Sequence, residues 1–142
     1  MSDTVFIAVH VGAEINNFHD IPLIRACDSA MSILKQGASS IQAVTEAIKQ
    51  LEVGTASNFR QEMPIHLALQ NDPVTNAGYG SNLCLTGKVE CDASLMSGKN
   101  GTFGAVGAVS GLRNPIETSL QMVIEAESGL LSLGRIPPMQ VY

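Results

Sequence analysis

Three threonines in this chain follow residues after which self-processing hydrolases cut: Thr4 after Asp3, Thr55 after Gly54 and Thr102 after Gly101. Cleavage before a threonine frees an α-amine, with an ordinary pKa of about 7.7–8.0, beside the hydroxyl it deprotonates. The nucleophile then needs a strand to present it and a second layer carrying oxyanion donors. Thr102 sits in GKNGTFGAVGAV and has an apolar strand directly after it, which makes it the best local match. Thr55 has no strand after it, and Thr4 requires loss of the residues before the first strand. Each dipeptide is common by itself. A cut before Thr102 would also leave only Thr102–Tyr142 for an entire catalytic half.

Two glycine-bearing stretches offer other chemistry. Ala93–Asn100 reads A-x-x-x-x-G-K-N, but a phosphate-binding loop needs a first glycine and a Ser or Thr after the lysine. A turn between strands is the better reading. Asn76-Ala77-Gly78-Tyr79-Gly80-Ser81 has glycines on both sides of a bulky residue, which exposes backbone N–H groups. It reads equally as a tight turn and as a loop beside a carboxylate or amide substrate. Cys27, Cys84 and Cys91 show no CxxC pairing, and His10, His19 and His66 no ligand spacing, so no metal site is expected.

A net charge of −5 with no Lys/Arg cluster excludes a nucleic-acid surface. Hydrophobic residues make up 45% and charged ones 15%, enough for a real core in one domain. Aromatics are only 4%, so that core must be aliphatic, with backbones brought close together. No basic-then-apolar leader and no membrane-length run are present, and an intracellular protein, cytoplasmic or nuclear, is expected.

The elements that must position any site follow from pattern. Val5–Val9 is a compact strand. Pro22 opens a helix with Leu23, Ala26, Cys27, Ala30 and Leu34 on one face and Gly37 at its end. Ser39 and Gln42 form a capping box for a second helix with an Ile41, Val44, Ile48, Leu51 stripe. Residues 53–70 read as a loop insertion. A hairpin is expected to pair Leu83–Leu85 with Val89–Leu95 across Thr86-Gly87-Lys88. Phe103–Val109 is a strand whose glycines mark a close neighbour. Asn114 to Glu117 reads as a second capping box, opening a helix with Ile116, Leu120, Val123 and Ile124 inward. The class is α/β (α+β), one sheet with helices, over residues 1–142 as a single incomplete domain.

His10-Val11-Gly12-Ala13, PVTNAGYGSNL, GKVECDASLM, FGAVGAVSGLRNPI and LGRIPP occur here in that order. In this the chain resembles threonine aspartases (taspases), a branch of the plant-type asparaginase group of N-terminal-nucleophile hydrolases. The resemblance covers nearly the whole chain. LGRIPP and the wording Glu90-Cys91-Asp92-Ala93-Ser94 are closer to the aspartases than to the small-molecule asparaginases.

The resemblance implies an αββα sandwich made from a precursor that cleaves itself into an α part and a β part beginning with the nucleophilic threonine. It implies cleavage of protein substrates after Asp, without metal or organic cofactor. Thr102 then falls on an α-part segment and becomes a loop residue, leaving no catalytic residue in this chain. The expectation is therefore a chain inert alone, partnered by the missing β part or by further subunits in a homo- or hetero-oligomer. Gly12 and Ala13 would shape the loop beneath the scissile bond, and Asn76, Gly78, Gly80 and Ser81 the substrate side of the pocket. Asp92 and Ser94 are weaker candidates, since such residues also cap turns. Glu14 stands where the family's loop has glycine. The alternative is a short pseudoenzyme or isoform that acts as a binding partner of full-length subunits.

Overall fold

The structure, a computed structural model, describes residues 4–11, 20–53, 82–129 and 140–141. Its elements are α1 (Asp20–Lys35), α2 (Ser40–Val53), β1 (Cys91–Met96), β2 (Phe103–Val109), α3 (Pro115–Glu127) and β3 (Gln140–Val141). This is the mixed α/β class expected, with helices laid against a sheet of order β1-β2-β3. β1 and β2 pair antiparallel from Met96↔Phe103 to Cys91↔Val109, and β3 joins β2 in parallel at Val106↔Gln140.

The hairpin forms elsewhere than pattern suggested. Thr86-Gly87-Lys88 does turn the chain, with Cys84 N–H donating to the Lys88 carbonyl and Gly87 N–H to that of Cys84, both at 2.9 Å. Leu83–Leu85 nevertheless forms no strand, and Leu83 and Leu85 stay largely in solvent. β1 pairs instead with β2 through the 97–102 turn, where Ser97 N–H donates to the Thr102 carbonyl at 2.8 Å. β2 wins because its residues are buried against α3, whereas a ladder on Leu83–Leu85 would bury little. Val5–Val9 likewise carries no strand assignment. Its alternation survives: Ile7, Val9 and Val11 pack on the helices while Phe6 is 82% exposed.

α1 and α2 meet through alanines. Ala26, Ala30, Ala43 and Ala47 are all buried, each pair one helical turn apart, with Leu51 extending the seam. Of the stripe expected on α2, Leu51 is buried and Ile41 and Ile48 pack inward, but Val44 is 44% exposed and the face toward α1 is taken by Ala43 and Ala47. Small side chains win the inward position since they let the helix axes approach. The Ser39–Gln42 capping box is formed: Ser39 N–H donates to Gln42 Oε1 at 2.9 Å and Gln42 N–H to Ser39 Oγ at 3.4 Å. Gly37 ends α1 at φ +91°, with the Ala38 N–H closing on the Ile33 carbonyl at 3.0 Å.

α3 lies across the β hairpin. Ile116 and Val123 pack on Leu95 and Ala93, with Ile41, Ile48 and Leu120 around them. The fully buried Ser119 hydroxyl donates to the Ala93 carbonyl at 3.0 Å, beside the register shift between Cys91 and Ala93. Ser119→Ala leaves that carbonyl without its donor in the interior. A loss of about 1–3 kcal/mol is expected in urea unfolding, against less than about 0.5 for Thr118→Ala.

Candidate functional site

A cleft of about 230 Å³ runs between residues 6–10 and the α1–α2 pair. Among the described residues its walls are mainly apolar: Phe6, Val9, Leu34, Val44 and Ile48, with His10 beside them. The alternation of residues 6–10 sets this geometry, since every second side chain is spent on the helical core. Such a surface accepts an apolar side chain or strand. Gly12 and Ala13, expected beneath a scissile bond, follow the cleft in sequence but lie outside the described residues. So do Asn76, Gly78, Gly80, Ser81, Glu14 and the 53–70 insertion beyond Val53.

Thr102 stands in the turn just before β2. Its hydroxyl donates to Asn100 Oδ1 at 2.8 Å and its N–H to the same oxygen at 3.1 Å. That is an Asx-type local closure, and its N–H belongs to an intact peptide in a tight hairpin. Gly101 just before it has φ +73°. Lys99 and Asn100 lie in the same turn, as the reading against a phosphate loop anticipated.

Asp92 and Ser94 fall on the sheet face opposite Leu95, both exposed. Asp92 Oδ1 accepts the Ala108 N–H at 2.7 Å. The bond spans the irregular part of the ladder, where Ala108 takes φ +52°, an uncommon conformation for a residue with a Cβ. Asp92 therefore closes a bulge in the facing strand rather than a turn. Ser94 pairs with Ala105 in the ladder.

No group of three or more His, Cys, Asp or Glu suited to a metal ion occurs among the described residues. Cys27, Cys84 and Cys91 are free thiols and only partly buried. Cys84 Sγ lies 2.9 Å from Thr86 Oγ1 and donates to Glu90 Oε1 at 3.4 Å. No helix of the described residues is long and apolar enough to cross a membrane.

A cluster of polar contacts joins α2 to α3, and sequence reasoning missed it. Asn114 makes no side-chain cap, so the second capping box does not form. Glu52 of α2 serves instead, its Oε1 accepting the Ile116 N–H at 3.1 Å. Lys49 Nζ meets Glu117 Oε1 at 2.6 Å and Glu46 Oε2 at 3.6 Å. The hydrogen bond to Glu117 holds the Lys49 ammonium above, and the Glu117 carboxyl below, their ordinary pKa values. Burial pushes the Glu52 carboxyl up to about 7, against the lowering pull of the Ile116 N–H. One signal was available: a carboxylate in the last turn of α2 opposes the helix dipole, so it needs a partner elsewhere.

Residues 65–134 match the family Asparaginase. The chain is 38% identical over 103 residues to an isoaspartyl peptidase/L-asparaginase of Mus musculus, covering 72% of this chain and 26% of that protein. The Homo sapiens isoaspartyl peptidase/L-asparaginase is 37% identical over 103 residues, covering 72% and 27% respectively. A plant-type L-asparaginase of Pyrococcus abyssi is 35% identical over 133 residues, which are 89% of this chain and 37% of that protein. The chain thus spans roughly a quarter to a third of the length of these relatives.

Proposed function

We propose that this chain forms part of an asparaginase-type hydrolase, supplying one sheet and its helices to an N-terminal-nucleophile sandwich. The observation that carries this is the family match over residues 65–134, which takes in β1, β2 and α3. A part beginning with a free threonine would complete the site, and an assembly of several subunits is compatible with it. In this reading Gly12 and Ala13 shape the loop beneath the reacting bond, and Asn76, Gly78, Gly80 and Ser81 line the substrate side. Asp92 holds the β2 bulge. The compartment we propose is intracellular, cytoplasmic or nuclear.

Within that family we favour the threonine-aspartase branch, acting on a protein substrate at an Asp. LGRIPP and Glu90-Cys91-Asp92-Ala93-Ser94 support it. The relatives' names, isoaspartyl peptidase and asparaginase, support the smaller substrates instead. Glu14 in the glycine loop supports the second reading, a binding partner without activity of its own.

The test combines the 142-residue chain with a separately produced, threonine-initiated β part from a relative, followed by pull-down and hydrolysis assays. Asparagine, an isoaspartyl dipeptide and an Asp-containing protein are offered in parallel. No turnover is expected from the chain alone, and a complex that hydrolyses one substrate class is expected from the pair. Turnover by the chain alone that vanishes in Thr102→Ala would make Thr102 the nucleophile. A complex without turnover selects the binding-partner reading, and no complex at micromolar concentration sinks both.

A further inference from the structure

We propose that the Glu52 carboxyl is a proton-operated latch between α2 and α3: protonated, it closes the first turn of α3, and on ionising it loosens that contact. The first turn of α3 has unusual needs. Pro115 has no N–H to offer, the Asn114 side chain provides no cap, and Ile116 N–H finds its acceptor on another helix, at Glu52 Oε1.

Two further atoms of this junction are buried acceptors without a donor among the described residues: Glu52 Oε2 and Asn114 Oδ1. The Asn114 amide is engaged with Glu117. A proton on Glu52 removes the buried charge and leaves a neutral carboxyl at the unpaired Oε2. Without it, an ionised oxygen sits desolvated and unpaired, which is the costly arrangement.

The surroundings leave the neutral form favoured. On α2, Lys49 attracts the ionised carboxyl, but its ammonium is shared between Glu117 and Glu46. On α3, Glu117 repels that charge, and Arg113, just before the helix, acts on Glu117. Burial adds to the repulsion, consistent with a native midpoint of about 7 against 4.5 for a free carboxyl.

The sign follows. Between those two values the native state holds a proton that the unfolded state has lost. The contribution of Glu52 to stability is therefore greatest at low pH, falls as pH rises through that window, and is level above it. An ordinary capping carboxylate shows the reverse, gaining as pH rises.

The experiment measures urea midpoints and Ile116 amide exchange from pH 5 to 8, for the full chain and for Glu52→Gln. Glutamine keeps an acceptor for Ile116 and cannot titrate. Equal stability is expected at pH 5, with the variant the more stable at pH 8. Ile116 protection in the unaltered chain, corrected for intrinsic exchange, should fall by up to about tenfold per pH unit from about 5 to 7; in Glu52→Gln it should stay level. A variant less stable than the unaltered chain at pH 8, or failing to fold there, overturns the latch. So does a difference between the two that is the same at every pH.

Discussion

Gly104→Ala will destabilise the chain by about 2–4 kcal/mol and hold α3 off the sheet. A Cβ at this position would overlap the Ser119 carbonyl oxygen, and it would stand 2.9 Å from Met122 Cβ and 3.2 Å from the Val123 nitrogen. These are mostly helix backbone atoms, which cannot turn aside as a long side chain does. Relief requires α3 to retreat, and the retreat stretches the Ser119–Ala93 hydrogen bond and opens the Leu95–Val123 packing. Overpacking costs about 1–3 kcal/mol, and the compromised buried hydrogen bond about 1 more. Against a domain stability of about 5–15 kcal/mol, that is a large share.

Two neighbouring glycines grade the effect. Gly98 has open space around it and an ordinary φ, so Gly98→Ala should fall within about 0.5 kcal/mol of the unaltered chain. Gly101 also has open space but sits at φ +73°, so alanine should cost about 1 kcal/mol from backbone strain alone. Urea midpoints for the three variants check the order. A Gly104→Ala midpoint close to that of Gly98→Ala would mean that α3 is not held as near as the structure has it.

Gly104 also shows where sequence is informative. Glycines in an otherwise apolar strand marked a close neighbour, and that neighbour is α3. The Ser39–Gln42 cap and the glycine end of α1 were legible for the same reason: their partners lie within a few residues. Readings failed where the deciding partner was distant. Asn114-Pro115-Ile116-Glu117 has the wording of a capping box, yet the acceptor comes from Glu52, 64 residues earlier. The hairpin partner of β1 was misplaced because local turn chemistry at Gly87 is sound, while the burial that selects β2 depends on α3. Of the candidate site, Asp92 acquired a definite bond, whereas Gly12, Ala13, Asn76, Gly78, Gly80 and Ser81 lie outside the described residues. The Lys49–Glu117 clasp had no local pattern to announce it.

Ala30→Leu will separate α1 from α2. Periodicity alone favours the larger residue, because Ala30 lies in the middle of an inward face and leucine would bury more apolar area. The geometry reverses that expectation. Ala30 is 0% exposed, and the facing helix presents Ala43 at 0% and Ala47 at 3%. A seam with alanine on both sides brings the helix backbones close, leaving no room for the extra carbons of leucine. The added bulk must push the axes apart, and the loss then spreads to Ile7, Val9 and Val11, which pack on the same cluster. A cost of about 3 kcal/mol is expected. The double variant Ala26→Leu/Ala30→Leu should cost less than the sum, since the first leucine has already moved the helices. Ile24→Ala on the outer side of α1, where Ile24 is 59% exposed, serves as the contrast and should change stability by less than about 0.5 kcal/mol. Denaturant midpoints of the unaltered chain, Ala26→Leu, Ala30→Leu, the double variant and Ile24→Ala decide it. If Ala30→Leu is as stable as the unaltered chain, the helices have space between them and the alanine seam does not set their distance.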